Sequence, residues 1–104
     1  MNYKNINPEE FSKLMSQEGY VVLDVRSERE AAQASIPGSM LIDIMNPSFA
    51  SEVEKLDKSK NYLIYCRSGQ RSGSACGYMA GLGFGELYNL AGGILAWSRS
   101  AVAA

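Results

Sequence analysis

The segment from Cys66 to Ser72 combines residue types that can carry nucleophilic chemistry. It reads Cys66-Arg67-Ser68-Gly69-Gln70-Arg71-Ser72. Cysteine reacts as the thiolate, which neighbouring positive charges and helix N-termini stabilise. Arginines and the converging backbone N–H groups that a glycine permits also bind small anions. The segment therefore predicts either attack by a Cys66 thiolate on an anionic electrophile or carriage of sulfur as a Cys66 persulfide.

The chain contains no histidine, and this limits how Cys66 can be activated. A free thiol has a pKa of about 8.5, so only a few per cent is thiolate at neutral pH. Without imidazole, activation must come from backbone N–H groups, a helix N-terminus, Arg67 and Arg71. The other cysteine, Cys76, could be a resolving partner for Cys66, but a small core residue facing a sheet is the simpler interpretation.

Short apolar runs alternate with helical segments along the chain and predict βα units with a parallel sheet. The strongest strand patterns are Tyr20–Val25 and Tyr62–Tyr65, and weaker ones are Tyr3–Ile6, Met40–Ile44 and Glu86–Leu90. Ligands of open parallel sheets bind outside the carboxyl ends of the strands. Cys66 directly follows a predicted strand, so we expect it at such an end, facing the next helix.

Helices are predicted between the strands. In the first helix, Asn7 is the expected N-cap, Glu10 the capping-box acid and Gly19 the stop. The other helices are expected at Glu28–Ala34, Ser48–Leu56, about Arg71–Leu82 and Ile94–Arg99. Glycines recur every four residues in the Arg71–Leu82 segment, which predicts close packing of that helix on the sheet; they are Gly73, Gly77 and Gly81.

Length and composition restrict the class of protein. The 104 residues, 46% hydrophobic, fit one domain spanning 1–104. A net charge of -1 argues against nucleic-acid binding. No apolar run is long enough to span a membrane. Two cysteines build neither a disulfide framework nor a four-cysteine zinc site, so we expect a reduced compartment and no metal. The polar Met1–Glu10 segment carries no signal-peptide pattern, which favours the cytoplasm; the periplasm is the alternative for a protein whose signal peptide has been removed.

Several motifs follow one another in a fixed order: Leu23–Arg26, Glu30, Ile36–Ser39, Cys66–Ser72, Gly83-Phe84 and Leu90–Trp97. In this order and spacing, the chain resembles a single-domain rhodanese over nearly its whole length. The resemblance implies an α/β fold in which helices flank both faces of a five-stranded parallel sheet. It also implies a thiosulfate sulfurtransferase that needs no cofactor. Sulfane sulfur from thiosulfate or a similar donor would form a persulfide and pass to cyanide or a thiol acceptor, including a protein thiol.

The resemblance also assigns roles by position. Cys66 would be the catalytic, persulfide-forming residue. Arg67 and Arg71 would bind the anionic donor, and the backbone N–H groups of the segment would cradle its outer sulfur; these belong to Ser68, Gly69, Gln70, Arg71 and Ser72. Asp24 and Arg26 would form a structural pair near the site, an interpretation favoured over an acid/base pair of Asp24 and Glu30.

Two alternatives stay open. Sulfurtransferases of this superfamily have six residues from cysteine to arginine, and the related phosphatases have seven. Cys66 to Arg71 is six, which favours sulfur over phosphoryl transfer. A rhodanese-like module that only binds or relays sulfur to a protein partner is the second alternative. One departure from the family pattern, Ala34-Ser35 in place of Gly-His, puts the shaping of the site by that region in question.

Overall fold

Five parallel strands form one sheet in the computed structural model, which describes residues 2–100. The strands are β1 (Lys4–Ile6), β2 (Tyr20–Asp24), β3 (Met40–Leu41), β4 (Asn61–Tyr65) and β5 (Leu87–Leu90). Their spatial order is β1-β5-β4-β2-β3. The two strongest apolar runs, β2 and β4, pair at the centre, as expected for strands buried on both faces. The predicted sheet is confirmed, and residues 1 and 101–104 of the predicted domain lie outside the described residues.

Helices cover both faces of the sheet, as predicted. They are α1 (Pro8–Met15), α2 (Glu28–Gln33), α3 (Phe49–Glu54), α4 (Gln70–Ala80) and α5 (Gly93–Arg99). Helices α3 and α4 share one buried cluster with Leu23 and Ile64, whereas α1 and α5 pack in a second cluster with Val22 and Leu63. Adjacent residues of one strand thus face opposite clusters. Within residues 2–100, no helix combines the length and apolar character needed to cross a membrane.

Several predicted element ends are wrong for local reasons. Helix α1 stops at Met15 rather than near Gly19, because the Ser16 hydroxyl bonds to the Lys13 carbonyl and begins a turn. Strand β3 ends at Leu41, and the Asp43 carboxylate then accepts from the Met45 amide and turns the chain. The Asn7 side chain caps α1 as predicted, and a complete capping box forms at the start of α2 instead.

The expected glycine stripe on α4 is only partly correct. A Cβ at Gly73 would lie 3.5 Å from the Asn89 amide nitrogen of β5, so this glycine does approach the sheet. A Cβ at Gly77 would have no heavy atom within 4 Å, and Gly81 lies at the exposed end of the helix. The helix packs instead through its buried residues, which are Ser72, Ala75, Cys76 and Met79.

Replacing Gly77 with alanine should stabilise the protein. The position is helical, exposed and open, so the variant gains helix propensity without a clash. We expect Gly77→Ala to raise the free energy of unfolding by about 0.5–1 kcal/mol in urea titrations. A clear loss of stability would show that the predicted close packing reaches Gly77 after all.

Candidate active site

The sulfur of Cys66 lies where hydrogen-bond donors from the following turn converge. Cys66 follows β4 directly, and only 1% of it is exposed. Its Sγ atom accepts from the Gly69 amide at 3.2 Å and from the Ser72 amide and hydroxyl, both at 3.3 Å. Such donors stabilise a negatively charged sulfur far more than a neutral thiol. The turn is therefore built to hold a sulfur anion.

These hydrogen bonds decide the ionisation of Cys66. Burial raises the pKa of the Cys66 thiol, but donation from the Ser72 hydroxyl and from the amides of Ser72, Gly69 and Ser68 outweighs burial and lowers the pKa below its ordinary value. The chief stabilising groups are thus the predicted backbone donors together with one hydroxyl. The arginines, which the sequence predicted to contribute, are not among the main causes that lower the pKa of Cys66, and Arg71 is paired with Glu30.

The backbone of the turn is fixed from behind by α5. The Ile94 amide donates to the Cys66 carbonyl at 2.9 Å, and the Leu95 amide donates to the Arg67 carbonyl at 3.2 Å. A Cβ on Gly93 would lie 2.2 Å from the Arg67 carbonyl oxygen, so only glycine permits this approach. With its first carbonyls bound to α5, the turn presents amide groups to the sulfur.

Arg71 forms a two-pronged ion pair with Glu30 of α2. Its two terminal nitrogens each donate to one Glu30 carboxylate oxygen at 2.8 Å. Ser27, the N-cap of α2, also binds this carboxylate, and together the hydrogen bonds lower the pKa of Glu30 to about 2. Glu30 also raises the pKa of Arg71. The arginine is therefore positioned at the site by α2, with its charge already partnered.

Asp24 and Arg26 form the predicted pair, buried at the end of β2. Arg26 donates to both carboxylate oxygens of Asp24, at 2.9 and 2.7 Å, and Tyr65 donates to the same carboxylate at 2.9 Å. The guanidinium lies over the Tyr65 ring, 5.3 Å from its centre. This cluster ties the end of β2 to the end of β4, immediately before Cys66.

The cluster of Asp24, Arg26 and Tyr65 also binds the backbone around Ala34-Ser35, the two residues that stand in place of Gly-His. Arg26 donates to the Ala34 carbonyl at 2.7 Å, and the Ile36 amide donates to the Tyr65 hydroxyl at 3.1 Å. The side chains of Ala34 and Ser35 are exposed. Because backbone groups make these contacts, the segment is fixed without the usual Gly-His side chains.

The remaining predicted residues divide by exposure. Arg67, Ser68 and Gln70 are exposed on the turn, whereas Ser72 is fully buried against the sulfur. Cys76 is a buried core residue, as predicted, and burial raises the pKa of its thiol to about 12.

Sequence reasoning missed two groups at the site. Glu30 was considered as a partner for Asp24, but it binds Arg71, which is 41 residues away and gives no local signal. Asn89 of β5, which contacts Ser72 and Gly69, lies in an ordinary strand pattern. The pair Gly92-Gly93 directly precedes the predicted helix Ile94–Arg99. Two consecutive glycines there could have signalled the close backbone contact of Gly93.

Comparison with known proteins gives one consistent result. The family model of the rhodanese-like domain matches residues 7–100. A protein named sulfurtransferase from Allochromatium vinosum is 39% identical over 88 residues, which cover 84% of this chain and 79% of the relative. Thiosulfate sulfurtransferase GlpE of Pseudomonas putida is 35% identical over 95 residues, which cover 91% of this chain and 84% of the relative.

Solved structures agree. A rhodanese-related protein from Thermoplasma volcanium superposes with a TM-score of 0.83 at 29% identity, covering 95% of this chain and 94% of the other. A rhodanese-like domain protein from Staphylococcus aureus gives a TM-score of 0.78 at 29% identity, covering 90% of each chain.

Gly93→Ala should disrupt the turn. The new Cβ would overlap the Arg67 carbonyl, and residue 93 has a φ of +61°, which alanine adopts only at a cost. We expect the free energy of unfolding to fall by about 3 kcal/mol, measured in urea beside Gly77→Ala as the matched glycine control. An unfolding midpoint equal to that of the wild type would contradict the packing of α5 on the turn.

The Glu30–Arg71 pair predicts a pH-dependent stability. The pKa of Glu30 is about 2 in the folded protein against an ordinary 4.5. The ionised carboxylate therefore stabilises the fold above pH 4.5, and this contribution is lost as the pH falls towards 2. We expect the stability advantage of the wild type over Glu30→Gln, measured by urea unfolding, to be largest at neutral pH and to shrink through that window. A constant difference across the window would show that the charge of Glu30 contributes nothing.

Proposed function

The chain belongs to the rhodanese-like domain family, and on that premise we propose that it is a thiosulfate sulfurtransferase working through a persulfide on Cys66. The observation that carries the proposal is the set of donors around the Cys66 sulfur, which lowers the pKa of this thiol without histidine. The relatives from Allochromatium vinosum and Pseudomonas putida are named as sulfurtransferases, which supports the same reaction class.

The first half-reaction is attack by the Cys66 thiolate on the outer sulfur of thiosulfate. A bond forms between Sγ and that sulfur, the sulfur–sulfur bond of thiosulfate breaks, and sulfite leaves with the electron pair. The product is a persulfide whose terminal sulfur carries the negative charge. Amides of the turn from Ser68 to Ser72 supply the donors that cradle this charge.

The second half-reaction restores the thiolate. Cyanide or a thiolate acceptor attacks the outer sulfur, and the bond to Sγ breaks with its electron pair returning to Cys66. Thiocyanate or an acceptor persulfide leaves. The three hydrogen bonds to Sγ stabilise the charge that develops on this leaving group, so the same contacts serve both directions of transfer.

Arg67 and Arg71 would bind the sulfonate oxygens of the donor, in different ways. Arg67 is exposed, and it makes no ion pair within residues 2–100, so its full charge is available to an anion. Arg71 would share its guanidinium between the donor and Glu30. The donor site is therefore less positive than two free arginines would make it.

Sulfur transfer is tested by thiosulfate-dependent formation of thiocyanate. We expect activity in the wild type, loss of turnover to background in Cys66→Ser, and activity near the wild-type level in Cys76→Ala, which removes the buried thiol outside the reaction. After thiosulfate treatment, intact-mass spectrometry should show one added sulfur atom in proteins that retain Cys66 and none in Cys66→Ser.

The same proteins separate the alternatives. Equal turnover by the wild type and Cys66→Ser would contradict the proposal. Cys66-dependent hydrolysis of an aryl phosphate without sulfur transfer would instead identify a phosphatase. A stable persulfide with very slow cyanide turnover but rapid transfer to a protein thiol would identify a relay module.

A further inference from the structure

Glu30 brings a negative charge to the turn that follows Cys66. Its two carboxylate oxygens each accept from one terminal nitrogen of Arg71 at 2.8 Å, and 30% of the Glu30 side chain is exposed. A guanidinium has five N–H groups, and this pair occupies two of them. Arg71 therefore has N–H groups left for a donor anion, and the charge of Glu30 stays beside it.

An open cavity of about 320 Å³ lies between α2 and α5, and both Glu30 and Arg67 line it. Ile94 and Leu95 of α5 also line the cavity, and their backbone amides bind the carbonyls of Cys66 and Arg67. The cavity therefore borders the turn. An anion held there by Arg67 would share the cavity with the Glu30 carboxylate.

Arg67 is the one guanidinium on this cavity that makes no ion pair within residues 2–100. Arg26, which also lines the cavity, is paired with Asp24 at 2.7 Å. At the turn, Glu30 offsets the charge of Arg71. One positive charge without a carboxylate partner is thus available to a donor.

Two further anionic groups act on Arg71. The Cys66 thiolate and the Asp43 carboxylate both raise the pKa of its guanidinium. A donor that approaches the sulfur therefore meets an anionic nucleophile and two nearby carboxylates. Its first negative charge is matched by Arg67, whereas Glu30 and Asp43 repel a second one.

We propose that Glu30 is a specificity-determining residue, whose charge favours sulfur donors with one negative charge over donors with two. The class that fits is an organic thiosulfonate, whose sulfonyl oxygens can bind arginine and whose apolar substituent can lie against Ile94 and Leu95. The Cys66 thiolate attacks the outer sulfur, the sulfur–sulfur bond breaks, and a sulfinate leaves with the electron pair. The product is the same Cys66 persulfide, so the inference rests on the proposed function.

The test compares kcat/KM for thiosulfate, a dianion, with kcat/KM for methanethiosulfonate, a monoanion, with cyanide as the acceptor. The ratio of the two values cancels effects that are common to both donors, such as a changed pKa of Cys66. In Glu30→Gln we expect the thiosulfate-to-thiosulfonate ratio to rise about fivefold, because losing a nearby negative charge favours the dianion more. Glu30→Asp keeps the charge and should keep the wild-type ratio.

Two further variants control for net charge and for folding. Glu28→Gln removes the same charge from an exposed position of α2, two residues from Glu30 and on another side of the helix, so it should shift the ratio less. Asp43→Asn keeps an oxygen for the Met45 amide and removes the other carboxylate that acts on Arg71. It should also raise the ratio, which keeps the test decisive if Glu30→Gln does not fold.

Alkylation of Cys66 tests the same charge effect without a sulfur donor. Iodoacetate carries one negative charge and iodoacetamide carries none, and both lose iodide to the same thiolate. We expect the iodoacetate-to-iodoacetamide ratio of rate constants to rise in Glu30→Gln. A wild type that forms no persulfide with either donor would refute the proposed function, whereas the alkylation ratio would still decide whether the charge of Glu30 selects between reactants.

The proposal is overturned if either ratio is unchanged or falls in Glu30→Gln. A fall in the donor ratio is expected if Glu30 only holds Arg71 in place, because losing a guanidinium harms the dianion more than the monoanion. Equal shifts in Glu28→Gln and Glu30→Gln, or in Glu30→Asp and Glu30→Gln, would also overturn it.

Discussion

The convergence of amide and hydroxyl donors on one buried sulfur is the contact on which the rest of the site depends. Burial alone would keep Cys66 protonated, and only donors aimed at Sγ reverse that effect. Aiming them requires the carbonyls of the same turn to point elsewhere. Helix α5 meets this need by binding the carbonyls of Cys66 and Arg67, and the glycine at position 93 lets it come close enough.

Charge has a different role in this site from the one that the sequence first indicates. Arg67 and Arg71 flank Cys66 closely in sequence, which favours direct stabilisation of the thiolate by positive charge. In the fold, Glu30 partners Arg71, and hydrogen bonds from Gly69 and Ser72 dominate at the sulfur. Arg71 thus keeps Glu30 as its partner, Arg67 makes no ion pair within residues 2–100, and neutral donors contact the sulfur. These hydrogen bonds lower the pKa of Cys66 in a chain that has no histidine.

The sequence predicts what short-range patterns determine, and misses what the fold brings together. The apolar runs of β2 and β4 are continuous, so their burial and parallel pairing were predictable, as was the place of Cys66 at a strand end. The Glu30–Arg71 pair joins residues 41 apart, and Asn89 meets Asn5 across 84 residues. Neither contact leaves a periodic signal. The glycines of α4 show the reverse case, a periodic signal without the predicted contact. Their regular spacing predicts close packing, but a Cβ at Gly77 would have no heavy atom within 4 Å.

The central claim, that donors of the turn lower the pKa of the Cys66 thiol below that of an ordinary thiol, is tested most directly by titrating ultraviolet thiolate absorbance in the native protein. Burial raises the pKa of the Cys76 thiol to about 12, so its ionisation is separated from that of Cys66. The account predicts an absorbance step below the range of an unperturbed thiol in the wild type and in Cys76→Ala, and no such step in Cys66→Ser. A first step in the wild type at or above the ordinary thiol range would contradict it.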